Sequence, residues 1–221
     1  MSPAVTGPLI KHDVIVIGAS AGGVETLISL FKSLPHDLPA AIAVVLHRHP
    51  LFNIHLANVL GRRAALPLVE VQEDGPFQQG TIYIAPSDAH LLLTQTGVKP
   101  DRGPKEHFTR PAVDPLFRTA AEVFGQRVVG VLLTGGGDDG TRGLINIKAA
   151  DGISIVQNPD EARTPSMPRN ALLYDHVDLV LSLRDIASAL VALAHGTSIR
   201  RFAQLQKRAA PHVSERSSML R

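Results

Sequence analysis

Ser20, His47 and the pair Asp138 and Asp139 are the residues of this 221-residue chain whose types and spacing could together do chemistry. Ser20 lies in Gly18-Ala19-Ser20-Ala21-Gly22, the G-x-S-x-G spacing of a nucleophile elbow. Small flanks allow a strained turn to press its own backbone against the serine. Such a turn aims the Ala21 N–H and the start of the next helix at a developing oxyanion. The same stretch also suits a glycine-rich phosphate loop or a plain turn, although Ser20 takes the place of the second glycine in a dinucleotide fingerprint. The motif by itself leaves these three readings open.

His47, in "LHRHP", is the candidate general base, with His49 as the alternative. A residue that issues straight from a strand is held better than one farther along a loop, which favours His47. A lone histidine at a strand end is more often a surface or packing residue than a base. "GGGDDG" then supplies carboxylates. Its glycines let the chain turn sharply and approach a ligand, so one aspartate can face the histidine while the other faces water or caps a helix. A Mg²⁺ or Ca²⁺ loop is the competing use, but neither an EF-hand spacing nor a further acidic cluster supports it.

The elements that must position these groups are legible from periodicity. Val14–Ile17 and Ala40–Leu46 are continuous apolar, β-branched runs, as expected of strands covered on both faces. Between them Val24, Leu27, Ile28, Phe31 and Leu34 recur at helical spacing until Pro35. This is a βαβ unit, which requires a right-handed crossover and a parallel sheet. Arg127–Thr134 is a third buried strand. Helix and strand patterns alternate after it, ending in a helix from about Leu183 to His195. "GTIYIAPSDAHLLLT" reads as a hairpin of Ile82–Ala85 and Leu91–Thr94, and "GVKPDRGPKEHFTRPAVDP" as a surface loop. The expected fold is a doubly wound α/β domain, its sheet mostly parallel with helices on both faces, plus an antiparallel hairpin. The expected division is a lead of residues 1–12, a domain of 13–196 and a basic helix or tail of 197–221. In such a sheet ligands bind beyond the carboxyl ends of the strands, and Ser20, His47 and the aspartates all leave at that edge.

Composition removes several function classes. With no cysteine the chain has no thiol catalysis, zinc–thiolate site or disulfide framework. Aromatics are only 4% and Trp is absent, which speaks against a base-stacking platform for nucleic acid. Net charge is +2, with the basic excess gathered in the last twenty or so residues as a solvated terminus. There is no apolar run of membrane-spanning length and no signal-peptide pattern, so the cytoplasm is the expected location, without membrane insertion.

The motifs "VIGASAGG", "VVLHRHP", "IYIAPSDAHLLL", "RPAVDPLF", "GVLLTGGGDDGTRG" and "IVQNPDEARTPSMPRNAL" resemble, in order and spacing, the catalytic domain of the chemotaxis protein-glutamate methylesterases, the CheB family. The resemblance runs from about Asp13 to Leu193. It implies Ser20 as nucleophile, His47 as general base and acid, and Asp139 as the residue that orients His47. It also implies Ala21 and Gly136 N–H groups as oxyanion donors, with no cofactor and no metal. The implied reaction is hydrolysis of glutamate γ-methyl esters on methylated signalling receptors, with glutamine deamidation in many members. A dozen residues precede the first strand, so the expectation is a stand-alone form without the family's receiver domain. Ala21 stands where many relatives have threonine and Gly136 where methionine is common, departures that also allow a regulatory binding module with little esterase activity. Arg110 is a candidate contact for an acidic substrate, evenly balanced against a structural role. Arg169 is expected to pair near a helix start, and Asp114 to cap its own helix ahead of Pro115.

Overall fold

β1 (Val14–Ala19) is buried along its whole length and forms the centre of the molecule. Its side chains alternate between two cores. Ile15, Ile17 and Ala19 face one layer, and Val14 and Val16 the other. The computed structural model describes residues 10–48, 56–174, 177–200 and 202.

After β1 come α1 (Gly23–Ser33), β2 (Ala41–Leu46), α2 (Leu56–Gly61), β3 (Leu68–Glu70) and β4 (Ile82–Ile84). A two-strand excursion, β5 (His90–Thr94) and β6 (Gly97–Asp101), precedes α3 (Val113–Phe124). The chain then runs through β7 (Val128–Leu132), α4 (Thr141–Ala149), β8 (Ile153–Gln157), α5 (Ser166–Tyr174), β9 (Leu179–Leu181) and α6 (Leu183–Ala194). Seven strands form one sheet in the order β3-β4-β2-β1-β7-β8-β9, with every pair parallel. The chain winds outward from β1 through β2, then returns to β7 on the other side. The winding therefore reverses between β1 and β7, where a doubly wound sheet opens a crevice at its carboxyl rim.

α1, α2 and α6 cover one face of the sheet, and α3, α4 and α5 the other. α1 carries Glu25 in its first turn and Lys32 in its last, both favourable to the helix dipole, and ends at the extended Leu34 before Pro35. Phe31 and Phe117 are the largest fully buried side chains, one in each layer. Truncating either to Ala costs about 3–5 kcal/mol. At the opposite rim from the crevice, Arg127 grips Asp13 with two hydrogen bonds of 2.8 and 2.9 Å, joining the starts of β1 and β7. No helix among the described residues is long and apolar enough to cross a membrane.

The hairpin lies elsewhere than the sequence pattern placed it. Ile82–Ile84 joins the parallel sheet between β2 and β3, and β5 instead turns into β6, inside the stretch expected to be loop. The reversal is at Thr94, whose hydroxyl accepts the N–H of Thr96 and of Gly97. A Cβ on Gly97 would lie 1.9 Å from the Gly75 carbonyl oxygen, so that position demands glycine. Lys99, Pro100 and Asp101 hid the strand, because an edge strand tolerates residues that an interior one does not. At the other end, Phe202 is 6% exposed and joins the core with Ile199 against it. Packing thus continues past residue 196.

Candidate active site

The turn after β1 is built by pairing on both sides. Ser20 N–H donates to Thr134 O at 2.9 Å, and His47 N–H to Ala19 O at 2.9 Å. Because Ala19 is in register with Leu46, Ser20 and His47 are the next residues out on adjacent parallel strands. Neighbouring strands run about 4.8 Å apart, so the two backbones leave the sheet side by side. Gly23 N–H closes the turn on Ser20 O at 2.8 Å, and Gly22 takes a φ of 80° that only glycine adopts readily. The Ser20 hydroxyl makes no hydrogen bond to another described residue.

His47 and Asp139 meet directly. Nε2 of His47 lies 2.7 Å from Oδ2 of Asp139, whose side chain is 2% exposed. A carboxylate there makes Nε2 the donor and leaves the ring's lone pair on Nδ1. Oδ2 of Asp139 also accepts the N–H of Val113 at 2.7 Å, and Oδ1 that of Asp114 at 2.9 Å. Both donors belong to the first turn of α3, so the carboxylate sits on the positive end of a twelve-residue helix. Burial pushes the Asp139 pKa up. The His47 hydrogen bond and charge, together with the two main-chain donors, outweigh it and hold the group below its ordinary value.

The loop after β7 presents Gly136, Gly137 and Asp138 to solvent while Asp139 turns inward. Gly135 N–H is spent on Thr164 O at 2.9 Å, and Asn170 holds Gly137 O at 2.7 Å. Neither Ala21 N–H nor Gly136 N–H has an acceptor among the described residues, and open space surrounds the Gly136 Cα. Two donors are thus unspent on loops flanking the crevice. Behind them the buried Thr134 is a tie: its hydroxyl donates to Ala21 O at 3.0 Å and accepts Thr164 N–H at 2.8 Å.

The other expectations fare differently. His49 lies outside the described residues. All three guanidinium nitrogens of Arg110 are engaged internally, with Asp88 and with the carbonyls of Arg102 and Gly103. Arg169 is exposed, and its side chain pairs with no described residue, contrary to the expected helix-start pairing. Asp114 does not cap its own helix, whose N-cap is Ala112. It lies inside the first turn of α3 and accepts Gly140 N–H at 3.0 Å and Gly143 N–H at 2.7 Å from α4. Sequence reasoning missed His107 altogether. Its ring reaches Asp114 at 2.8 Å and Asp138 at 3.2 Å from a backbone with φ of 50°. No periodicity announces such a loop residue.

His107, Asp114 and Asp139 offer one ligand atom each within 4.8 Å of one another. Their oxygens already accept main-chain N–H groups and the two rings, so a cation would have to displace those bonds. The cluster is built as a hydrogen-bonded unit.

The fold and the site define a class: a doubly wound parallel α/β domain whose carboxyl rim gathers a serine, a histidine and a buried aspartate at its switch point. The chain belongs to the CheB methylesterase family, whose model matches residues 15–190. A protein-glutamate methylesterase/protein-glutamine glutaminase of Pyrococcus abyssi is 38% identical over 181 residues, covering 80% of this chain and 49% of the relative. The chain therefore spans about half the length of that relative. A putative protein-glutamate methylesterase/protein-glutamine glutaminase of Leptospira interrogans is 34% identical over 83% of this chain and 95% of its own. Among solved structures, the CheB methylesterase catalytic domain of Thermotoga maritima superposes with a TM-score of 0.79 at 33% identity. It covers 82% of this chain and 98% of that domain.

Proposed function

We propose that the chain is a serine esterase that hydrolyses glutamate γ-methyl esters on methylated signalling receptors in the cytoplasm, with glutamine side chains as a second substrate. The observation that carries this is the 2.7 Å His47–Asp139 bond, formed by the residue that leaves β2 beside Ser20 at the end of β1.

Ser20 Oγ attacks the ester carbonyl while Nδ1 of His47 takes its proton. Ala21 and Gly136 N–H groups receive the oxyanion, a donor of this kind being worth about 10²–10³ in rate. The imidazolium returns the proton to the departing methoxy oxygen, which leaves as methanol, or, when the substrate is glutamine, to the departing amide nitrogen, which leaves as ammonia. Water then attacks the γ-glutamyl ester on Ser20, losing its proton to His47, and the imidazolium passes that proton to the departing Ser20 Oγ as glutamate is released. Asp139 holds the ring's tautomer and stabilises the imidazolium in both halves. The Ser20 hydroxyl would have to swing onto His47 as substrate enters, a tightening common in such sites.

Mass spectrometry of methylated receptors before and after exposure to the protein tests the reading. Wild type is expected to remove methyl groups, and folded Ser20→Ala to lose at least about 10⁴-fold in rate. Equal turnover by both proteins excludes Ser20 as nucleophile. The Ser20 hydroxyl, with no hydrogen bond to another described residue, favours a second reading, a regulatory module that binds a signalling protein without turnover. Covalent labelling of Ser20 by a fluorophosphonate separates the two: folded protein that resists the probe supports the module.

A further inference from the structure

Asp139 is shared. On one side it accepts His47, and on the other its Oδ1 lies 3.9 Å from Nε2 of His107. His107 is surrounded by acid: Nε2 bonds Asp114 Oδ2 at 2.8 Å and Nδ1 meets Asp138 Oδ1 at 3.2 Å. A neutral imidazole has one donor, whereas this ring has a carboxylate oxygen at each nitrogen. Nε2 makes the hydrogen bond, to Asp114, and the Asp138 charge stands at Nδ1, so acid on both sides favours the imidazolium.

The loop is shaped to keep it there. His107 and Phe108 both take left-handed backbone, with φ of 50° and 59°, and the Phe108 side chain is 99% exposed. The two residues are the centre of a turn closed by Thr109 N–H, which donates to Glu106 O at 2.9 Å, and that turn carries the ring to the carboxylates. The charged neighbours are Asp114 and Arg118 on α3, Asp138 and Asp139 on the loop before α4, and Glu106 on its own loop. Arg118 pairs with Glu106 at 2.9 Å, which withdraws both from the ring. His47, at the end of β2, faces the group through Asp139.

We propose that His107 is a positioning residue for the His47–Asp139 pair, its imidazolium held between Asp114 and Asp138 so that it sets the charge His47 experiences across their common carboxylate. A charged His107 opposes a second positive charge on His47 across the shared carboxylate, so His47 keeps its proton-accepting form to lower pH. Once His107 loses its proton that opposition is gone and the His47 imidazolium is favoured. The device therefore keeps the base available at mildly acidic pH. Its catalytic meaning rests on the esterase reading, but the coupling between the two rings does not.

The test follows the ring signals of both histidines by NMR through a pH titration of the full chain. In wild type the His47 signals are expected to carry a second inflection at the midpoint of His107. In His107→Gln that inflection disappears and the His47 midpoint rises by roughly 0.5–1 unit. A wild-type His47 curve with no second inflection overturns the proposal, and needs no variant to fold. A folded His107→Gln with an unmoved His47 midpoint does the same. In the esterase assay the acid limb of kcat/KM is expected to move with the His47 midpoint. A rate loss of equal depth at every pH marks simple packing and also overturns it. Coupled rings in a protein that hydrolyses no ester would sink the functional reading and leave this one standing.

Discussion

Asp139 and Asp114 exchange caps between two helices. Asp139, just ahead of α4, accepts the first N–H groups of α3, while Asp114, in the first turn of α3, accepts two N–H groups of α4. Each helix thereby satisfies the orphan donors of the other, and the carboxylate that meets His47 is fixed from both sides. Neither aspartate can move without disturbing the other's helix.

This exchange makes Asp114 more than a cap. In Asp114→Ala the N–H groups of Gly140 and Gly143 lose their acceptor inside a closed site, at a cost of about 2–4 kcal/mol. Urea unfolding is expected to show that loss together with a fall in kcat of at least about tenfold, because Asp139 rides on the same loop. A variant of wild-type stability and turnover would refute the cross-capping account.

Gly135 is a second point of no slack. A Cβ there would lie 2.0 Å from Met167 Sδ and 2.8 Å from Ser20 Cβ. Met167 can bend away, but Ser20 sits on a backbone paired to both neighbours. Gly135→Ala is therefore expected to displace Ser20, cutting fluorophosphonate labelling at least about tenfold and costing about 1–3 kcal/mol in stability. Labelling at the wild-type rate would show that the turn yields.

Thr134 ties the Ser20 turn to the segment before α5. Thr134→Val keeps the shape but leaves Thr164 N–H without its acceptor and frees Ala21 O. The expected result is a loss of about 1–2 kcal/mol, with kcat falling and KM holding. A rise in KM alone would assign Thr134 to substrate binding instead.

For Arg110 the outcome should be the reverse of a substrate contact. Its guanidinium is occupied by Asp88 and two carbonyls, so Arg110→Gln is expected to lower stability by about 1–2 kcal/mol while KM stays within about twofold. A KM increase of tenfold at unchanged stability would return it to the substrate.

Asp139 and His107 give folding opposed pH dependences. Asp139, held low, contributes stability that is complete above the unfolded carboxylate range and lost as pH falls through its depressed folded value. His107 runs the other way. Burial opposes its charge, but the Asp114 hydrogen bond and the charges of Asp139, Asp114 and Asp138 prevail and raise its pKa. Its contribution is complete below the unfolded histidine value and is lost as pH rises through the higher folded value. The stability gap between wild type and His107→Gln should therefore narrow in urea titrations as pH rises above the ordinary histidine value of about 6.5. A gap that widens instead contradicts the charged pairing.

By itself the sequence determined the parallel sheet, the helices that cover it and the rim on which Ser20, His47 and Asp139 emerge. Those features rest on local periodicity: the unbroken apolar runs of β1, β2 and β7 need cover on both faces, and a buried strand's end is a fixed address. Only the tertiary structure decided that Asp114 serves α4 and that β6 pairs with β5. Only it brought His107 to the carboxylates. Each of these depends on partners distant in the chain and on loop backbone of unusual dihedral angle, and neither leaves a repeating mark in the order of residues.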